Sequence, residues 1–234
     1  MTADRVARWS CVAIVPAGGG GARFGSLLPK QYSLIAGKTV LEHTLLALQK
    51  CRLIERIFVN AQRDDGHAEA VTKNHTKVTL LRTAGSARAQ TVRNALKDIS
   101  KQVRRDAWVL VHDAARPCVS SVDLNRLISL AGAHPVGGLL ASPVSDTLKR
   151  ANADGEVTET VPRDGMWRAL TPQMFRYETL VHALASSPDV TDESEAIEAL
   201  GMAPLLVVGS ARNIKITLPD DAELAAYYLS QQEQ

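Results

Sequence analysis

Short apolar runs rich in β-branched residues alternate along this chain with segments whose apolar residues recur at helical spacing, and that alternation narrows the folds open to it. Cys11–Pro16, 56–61, Val78–Leu81, 108–112 and 138–142 read as strands, and their solid apolar character suits strands covered on both faces. Between them, 39–50, 65–73, 87–100 and 122–133 read as amphipathic helices. Strand then helix, repeated, predicts an α/β fold, a three-layer αβα sandwich around a mostly parallel, Rossmann-like sheet. Further on, helices are expected at 176–187, 192–200 and 219–229, with short strands at Leu205–Val208 and 213–217. With 234 residues, 45% of them hydrophobic, and no repeat or linker, one domain over 1–234 is expected.

The alternation breaks at 145–163, where polar, Thr/Val-rich flanks surround Asn152-Ala153-Asp154-Gly155. An Asp-Gly turn between such flanks predicts a β-hairpin. The flanks carry too few large apolar residues to form a core, and a lone two-stranded ribbon is marginal in water. The expectation is therefore an inserted arm that packs on a second copy of the chain, making a homodimer.

The first apolar run ends in Pro16-Ala17-Gly18-Gly19-Gly20-Gly21-Ala22-Arg23, with Pro29-Lys30 shortly after. A glycine run at the carboxyl end of a first parallel strand lies where open α/β sheets bind ligands, with backbone amides available to phosphate oxygens. The dinucleotide pattern G-x-G-x-x-G fails, because its last position falls on Arg23 or Phe24 in the two registers. The G-x-x-x-x-G-K-[ST] pattern fails at Gly37-Lys38-Thr39, where Tyr32 stands in place of the first glycine. What remains, glycines followed by Arg23 and Lys30, suits a triphosphate whose charge must be neutralised as pyrophosphate leaves.

Other function classes recede on composition. The net charge of +2 argues against a general nucleic-acid or membrane-surface binder, and three Trp, four Tyr and three Phe are too few for a base-stacking platform. Cys11, Cys51 and Cys118 form no metal half-site or disulfide framework, and the six histidines show no ligand spacing. The apolar start is too short for a signal peptide, so a cytoplasmic protein is expected, with no membrane or nucleic-acid partner.

Seven separated motifs then carry a resemblance. They are Ile14-Val15-Pro16-Ala17-Gly18-Gly19 with Arg23 and Pro29-Lys30-Gln31-Tyr32; Val111-His112-Asp113-Ala114-Ala115-Arg116-Pro117; Asp146-Thr147-Leu148-Lys149; Leu170-Thr171-Pro172-Gln173; Thr191-Asp192-Glu193; and Asn213-Ile214-Lys215. In their order and spacing they resemble the 2-C-methyl-D-erythritol 4-phosphate cytidylyltransferases of the non-mevalonate isoprenoid route. The resemblance implies a nucleotidyltransferase that makes 4-diphosphocytidyl-2-C-methyl-D-erythritol and pyrophosphate from CTP and the polyol phosphate, with Mg2+ as cofactor. It implies that Arg23 and Lys30 stabilise charge at the α-phosphate and that Asp113 is the metal carboxylate. It further implies that Arg163 and Lys215 hold the sugar phosphate for attack, with Thr147, Thr171 and Arg116 as substrate-binding residues. Ala17, Gly18, Gly19, Gly21, Gly85 and Thr91 would bind CTP. In the family the arm crosses the dimer, so Thr147 and Arg163 would complete the neighbour's site.

In-line attack of one phosphate on another needs positioning and charge neutralisation rather than a covalent nucleophile, which agrees with this residue set. Asp113 also has a structural reading, as a helix cap or a partner for Arg116. Glu193, among the early acids of an expected helix start, reads as structural. Two departures stand out: Ala22 where relatives carry a second arginine, and Ser86 where an acidic residue is familiar. The alternatives are a ribitol 5-phosphate cytidylyltransferase, which shares the loop and the arm, and a non-catalytic nucleotide-sensing module, from which loss of Lys30, Asp113 or Lys215 would be expected.

Overall fold

The structure, a computed structural model, describes residues 11–19 and 28–232. The chain opens with β1 (Cys11–Pro16), then a short 3-10 turn at Lys30–Tyr32 and a small antiparallel pair, β2 (Leu34–Ile35) and β3 (Lys38–Thr39). Next come α1 (Val40–Lys50), β4 (Ile54–Asn60), α2 (Gly66–Thr72), β5 (Val78–Leu81), α3 (Arg88–Asp98), β6 (Trp108–Val111), α4 (Ser121–Ala133) and β7 (Gly137–Pro143). The arm is β8 (Leu148–Ala151) and β9 (Val157–Val161), and the rest is β10 (Trp167–Arg176), α5 (Tyr177–Ser186), α6 (Glu193–Glu198), β11 (Leu205–Val208) and α7 (Asp220–Ser230).

Local chemistry sets the helix starts. Thr39, Asp65, Ser120 and Asp192 each accept, through a side-chain oxygen, from the amide three residues on, closing an otherwise orphan donor at the N-termini of α1, α2, α4 and α6. The α3 helix has Ala87 at that position and no side-chain cap.

Seven strands form one sheet in the order β11-β7-β10-β6-β1-β4-β5. Every pairing is parallel except those of β10, which runs antiparallel to both β6 and β7. One face packs against α1, α2 and α4 through residues such as Leu41, Leu45, Ala68, Leu124 and Ile128. The other packs against α3, α5 and α6 through Val92, Leu96, Leu180, Leu184 and Ile197. The expected three-layer α/β sandwich is thus present.

Two local expectations are corrected. No strand is read from sequence ahead of the helix at 176, yet β10 lies there in the middle of the sheet. Its Pro172 and buried Thr171 and Gln173 disguise it, and the polar pair is tolerated because each is hydrogen-bonded: Thr171 beside His112, and Gln173 to Asp192 and to the Ser194 amide. A shift in the β10–β7 register between Ala169 and Gln173 accommodates the proline. Conversely, 213–217 is not a strand. Side chains hold this segment instead: Arg116 Nη1 donates to the Asn213 carbonyl at 2.7 Å, Asn213 Nδ2 donates to the Thr171 carbonyl at 2.7 Å, and Asp221 accepts from the Thr217 amide.

The arm is a separate two-stranded sheet, with Leu148 opposite Val161 and Arg150 opposite Glu159. Its turn is closed by Asn152 Oδ1, which accepts from the Asp154 and Glu156 amides, with Gly155 at φ +82°. Most of its residues are exposed, Val157 among them.

Candidate active site

The carboxyl ends of β1 and β6 open onto a cleft of about 380 Å³. Its lining includes Ala17, Gly18 and Gly19 after β1, Lys30 from the 3-10 turn, Gly85 and Thr91 around the start of α3, Asp113 after β6, and Lys215. These eight residues from the expected site therefore converge. Arg23 and Gly21, with Ala22, lie outside the described residues.

The loop after β1 is held by its carbonyls. Gln31 Nε2 donates to the Ala17 and Gly19 oxygens at 2.9 and 3.1 Å, and Gln62 Nε2 donates to the Gly18 oxygen at 3.1 Å. The Gly18 and Gly19 amides make no hydrogen bond among the described residues, so they remain available as donors to a ligand. The two glycines differ: a Cβ at Gly18 would sit 2.4 Å from that of Ala84, whereas one at Gly19 would meet open space. Across the cleft, Thr91 Oγ1 accepts from the Gly85 amide at 3.0 Å and donates to the Ala87 carbonyl at 3.0 Å, clamping the chain that leads into α3. With no capping side chain at Ala87, the positive end of α3 faces the cleft.

Asp113 is the hub. Its Oδ1 accepts from Arg88 Nε at 2.8 Å, and its Oδ2 accepts from Lys215 Nζ at 2.9 Å and from Arg116 Nε at 3.4 Å. Burial opposes a charge here, but Arg88, Lys215 and Arg116 outweigh it and hold the carboxyl well below the usual carboxylate range. Arg88 also meets Glu193 end-on, Nη1 to Oε1 at 2.7 Å and Nη2 to Oε2 at 2.9 Å. Burial pushes the Glu193 carboxyl up, with Arg88 opposing. Three cations face two carboxylates, leaving the cluster with one net positive charge.

The backbone at Asp113 is fixed from β10. The Asp113 amide donates to Thr171 Oγ1 at 3.1 Å, and Thr171 Oγ1 lies 2.9 Å from His112 Nδ1. His112 Nε2 is 3.1 Å from the Arg116 carbonyl, which can only accept, so Nε2 carries the proton and the Thr171 hydroxyl donates to Nδ1. Burial first, then the arginines Arg116 and Arg88, push the His112 pKa down to about 4, against the pull of Asp113 and the Arg116 carbonyl. Thr171 and Arg116 therefore bracket Asp113 from behind.

Thr147 and Arg163, at the base of the arm, are exposed and do not line the cleft. Arg163 Nη1 donates to the Ser145 carbonyl. The sequence reading missed Arg88 as a site residue and took Glu193 as structural only. Arg88 follows Gly85-Ser86-Ala87 at the start of a helix in an expected nucleotide loop, which is a usable signal for it. Glu193 stands in the Thr191-Asp192-Glu193 motif, but its pairing with Arg88 has no local signal, because the partner lies 105 residues away.

Among the described residues no helix is long and apolar enough to cross a membrane. Residues 11–231 match the family described as 2-C-methyl-D-erythritol 4-phosphate cytidylyltransferase. A protein of that name from Dechloromonas aromatica (strain RCB) is 48% identical over 219 residues, covering 93% of this chain and 96% of the relative. Another, from Vibrio parahaemolyticus, is 48% identical over 228 residues, covering 95% and 97%. Among solved structures, a 4-diphosphocytidyl-2C-methyl-D-erythritol synthase is similar with a TM-score of 0.85 at 40% identity, over 95% of this chain and 99% of that one. The Francisella tularensis 2-C-methyl-D-erythritol 4-phosphate cytidylyltransferase is similar with a TM-score of 0.80 at 36% identity, over 94% and 99%. With its family match spanning nearly the whole chain, this protein belongs to the 2-C-methyl-D-erythritol 4-phosphate cytidylyltransferase family.

Proposed function

We propose that this chain transfers the cytidylyl group of CTP to 2-C-methyl-D-erythritol 4-phosphate, giving 4-diphosphocytidyl-2-C-methyl-D-erythritol and pyrophosphate, in the cleft at the carboxyl ends of β1 and β6. The observation that carries this reading is the convergence in one cleft of open glycine amides, an uncapped helix start, Lys30, Lys215 and a single carboxylate, Asp113. Both substrates are anions, and that lining is built to receive anions.

The family implies a divalent cation, magnesium. Asp113 is the one carboxylate lining the cleft among the described residues, which also hold no cluster of three His, Cys, Asp or Glu. That donor set does not form an all-protein cage, but it fits an ion shared between one carboxylate and substrate phosphates, as is usual for magnesium. When bound, the ion supplies charge neutralisation and alignment of the triphosphate.

The chain's own residues do the rest. Gly18 and Gly19 offer their amides to the triphosphate and Gly21 is assigned to the same ligand; Ala17, whose amide is bonded to the Asn60 carbonyl, lines the cleft beside them, while Gly85 and Thr91 shape the wall for ribose and base. Lys30 and Arg23 flank the α-phosphate, where negative charge grows as the attacking oxygen closes and pyrophosphate departs. Lys215, with Arg116 and Thr171 behind Asp113, forms the side that receives the polyol phosphate. Thr147 and Arg163 reach that side from a partner: the arm, which has no core of its own, docks across a two-fold axis and makes the functional unit a homodimer.

Pyrophosphate release with CTP and 2-C-methyl-D-erythritol 4-phosphate, with and without magnesium, tests the reading. Ribitol 5-phosphate and UTP serve as parallel substrates. Turnover that requires the methylerythritol phosphate, CTP and the divalent ion is expected; equal kcat/KM for CTP and UTP would remove the cytidylyl assignment, because a wall matched to cytosine leaves polar groups unpaired against uracil.

A further inference from the structure

Glu193 carries a charge where charge is expensive. Its side chain is 1% exposed, it belongs to the face of the sheet where Val92, Tyr177, Ala196 and Ile197 cluster, and it does not line the cleft. A buried ion pair is a poor source of stability, since apolar side chains of similar volume often serve packing as well or better. What the pair does have is geometry. Both Glu193 oxygens accept from the Nη atoms of Arg88, which fixes the plane of the guanidinium and leaves Nε as the donor aimed at Asp113 Oδ1, 2.8 Å away.

The consequence falls on Asp113. A carboxylate has about four acceptor positions. Lys215 and Arg116 take the two on Oδ2 and Arg88 takes one on Oδ1, so one position on Oδ1 stays open. Without Glu193, Arg88 is released to turn a second N–H onto Asp113 Oδ1 and fill the position left open. We propose that Glu193 is a positioning residue for cytidylyl transfer, holding Arg88 to a single bond with Asp113 so that the carboxylate keeps an acceptor position for the incoming magnesium–CTP. This rests on the reading of the cleft as the CTP site.

The test uses the full-length protein and direct calorimetric binding of magnesium–CTP in the absence of the polyol phosphate, with kcat, KM and thermal unfolding measured alongside. Removing an outer partner of a ligand-holding side chain typically weakens binding or activity about 10- to 100-fold. Glu193→Gln keeps the shape and removes the charge, and a weakening of that size in its folded fraction is expected, with partial recovery in Glu193→Asp. A merely structural pair would lower the unfolding midpoint and leave the affinity of folded protein unchanged, and that result overturns the proposal. Should Glu193→Gln not fold, the charge-free double variant Arg88→Met with Glu193→Leu takes its place: with no guanidinium left to turn onto Asp113, affinity close to wild type is expected, and a 10- to 100-fold loss overturns the proposal. A wild-type protein that neither binds magnesium–CTP nor turns over would instead sink the reading of the cleft, whatever Glu193 does.

Discussion

Asp113 in the cleft is gripped by Arg88 from α3, by Arg116 five residues past β6, and by Lys215 from the segment before α7, all within 3.4 Å. The hairpin of β8 and β9 is held by contacts between near neighbours: the β8–β9 ladder, the Asn152 turn, the Arg150–Glu159 pair and Lys149 Nζ donating to Thr160 at 2.6 Å. In the first region, elements far apart in sequence each contribute one side chain, and burial makes their geometry rigid. In the second, local bonds give the ribbon its shape while its residues face outward. Interlocked charges from distant elements thus shape the cleft within this chain, whereas the arm presents Thr147 and Arg163 on an exposed ribbon, which fits the proposal that they act on a partner's site.

The largest effect is expected at the cleft. Lys30→Ala should lower kcat by on the order of 10²-fold or more while changing substrate binding far less, because a cation aimed at developing charge acts mainly in the transition state. Steady-state kinetics decide it, and an unchanged kcat removes Lys30 from the chemistry.

Next comes the arm. Arg163→Ala should be similarly impaired, yet mixing it with Lys30→Ala protein under demonstrated subunit exchange should restore activity to about a quarter of wild type, since half of randomly paired dimers are mixed and each has one intact site of two. A mixture as inactive as its parents means that Arg163 serves its own subunit, and the contrast between the two regions collapses.

A smaller effect is expected from the small core against α7, where Cys118 packs with Ile216 and Ala225. Burial pushes the Cys118 thiol up to about 12. The unfolded chain therefore loses this proton first as pH rises, so the contribution is fully present below about pH 8.5 and is lost progressively above it. By pH 10 the loss amounts to roughly 2 kcal/mol, and Cys118→Ala should remove that share of the alkaline slope in denaturant titrations. An identical slope in the variant argues that this core opens to solvent.

The smallest effect belongs to the arm's surface. Arg150→Ala removes an exposed ion pair with Glu159 and should change the unfolding free energy by no more than about 1 kcal/mol. A much larger loss would show that the ribbon is locked by its own side chains and needs no partner.

Local rules made much of this protein legible before any coordinates. Apolar periodicity marked the strands and helices that alternate through the first two thirds, and Thr39, Asp65 and Asp192 stand where helices begin because capping is a matter of neighbouring residues. The glycine run, Lys30, Asp113 and Lys215 were readable as chemistry because each sits in a recognisable short motif. Other features carried no local signal. β10 enters the sheet antiparallel with a proline and two buried polar residues, so its identity depends on the strands and side chains that receive it. The 213–217 segment looks like a strand but finds no ladder, and is held by Arg116 and Asn213 instead. The pairing of Arg88 with Glu193 spans 105 residues and has no period to betray it. Period and capping act over a few residues and are written in the sequence itself; the partner of a buried charge is decided only when folding brings distant elements together and removes the water that would otherwise have served each of them.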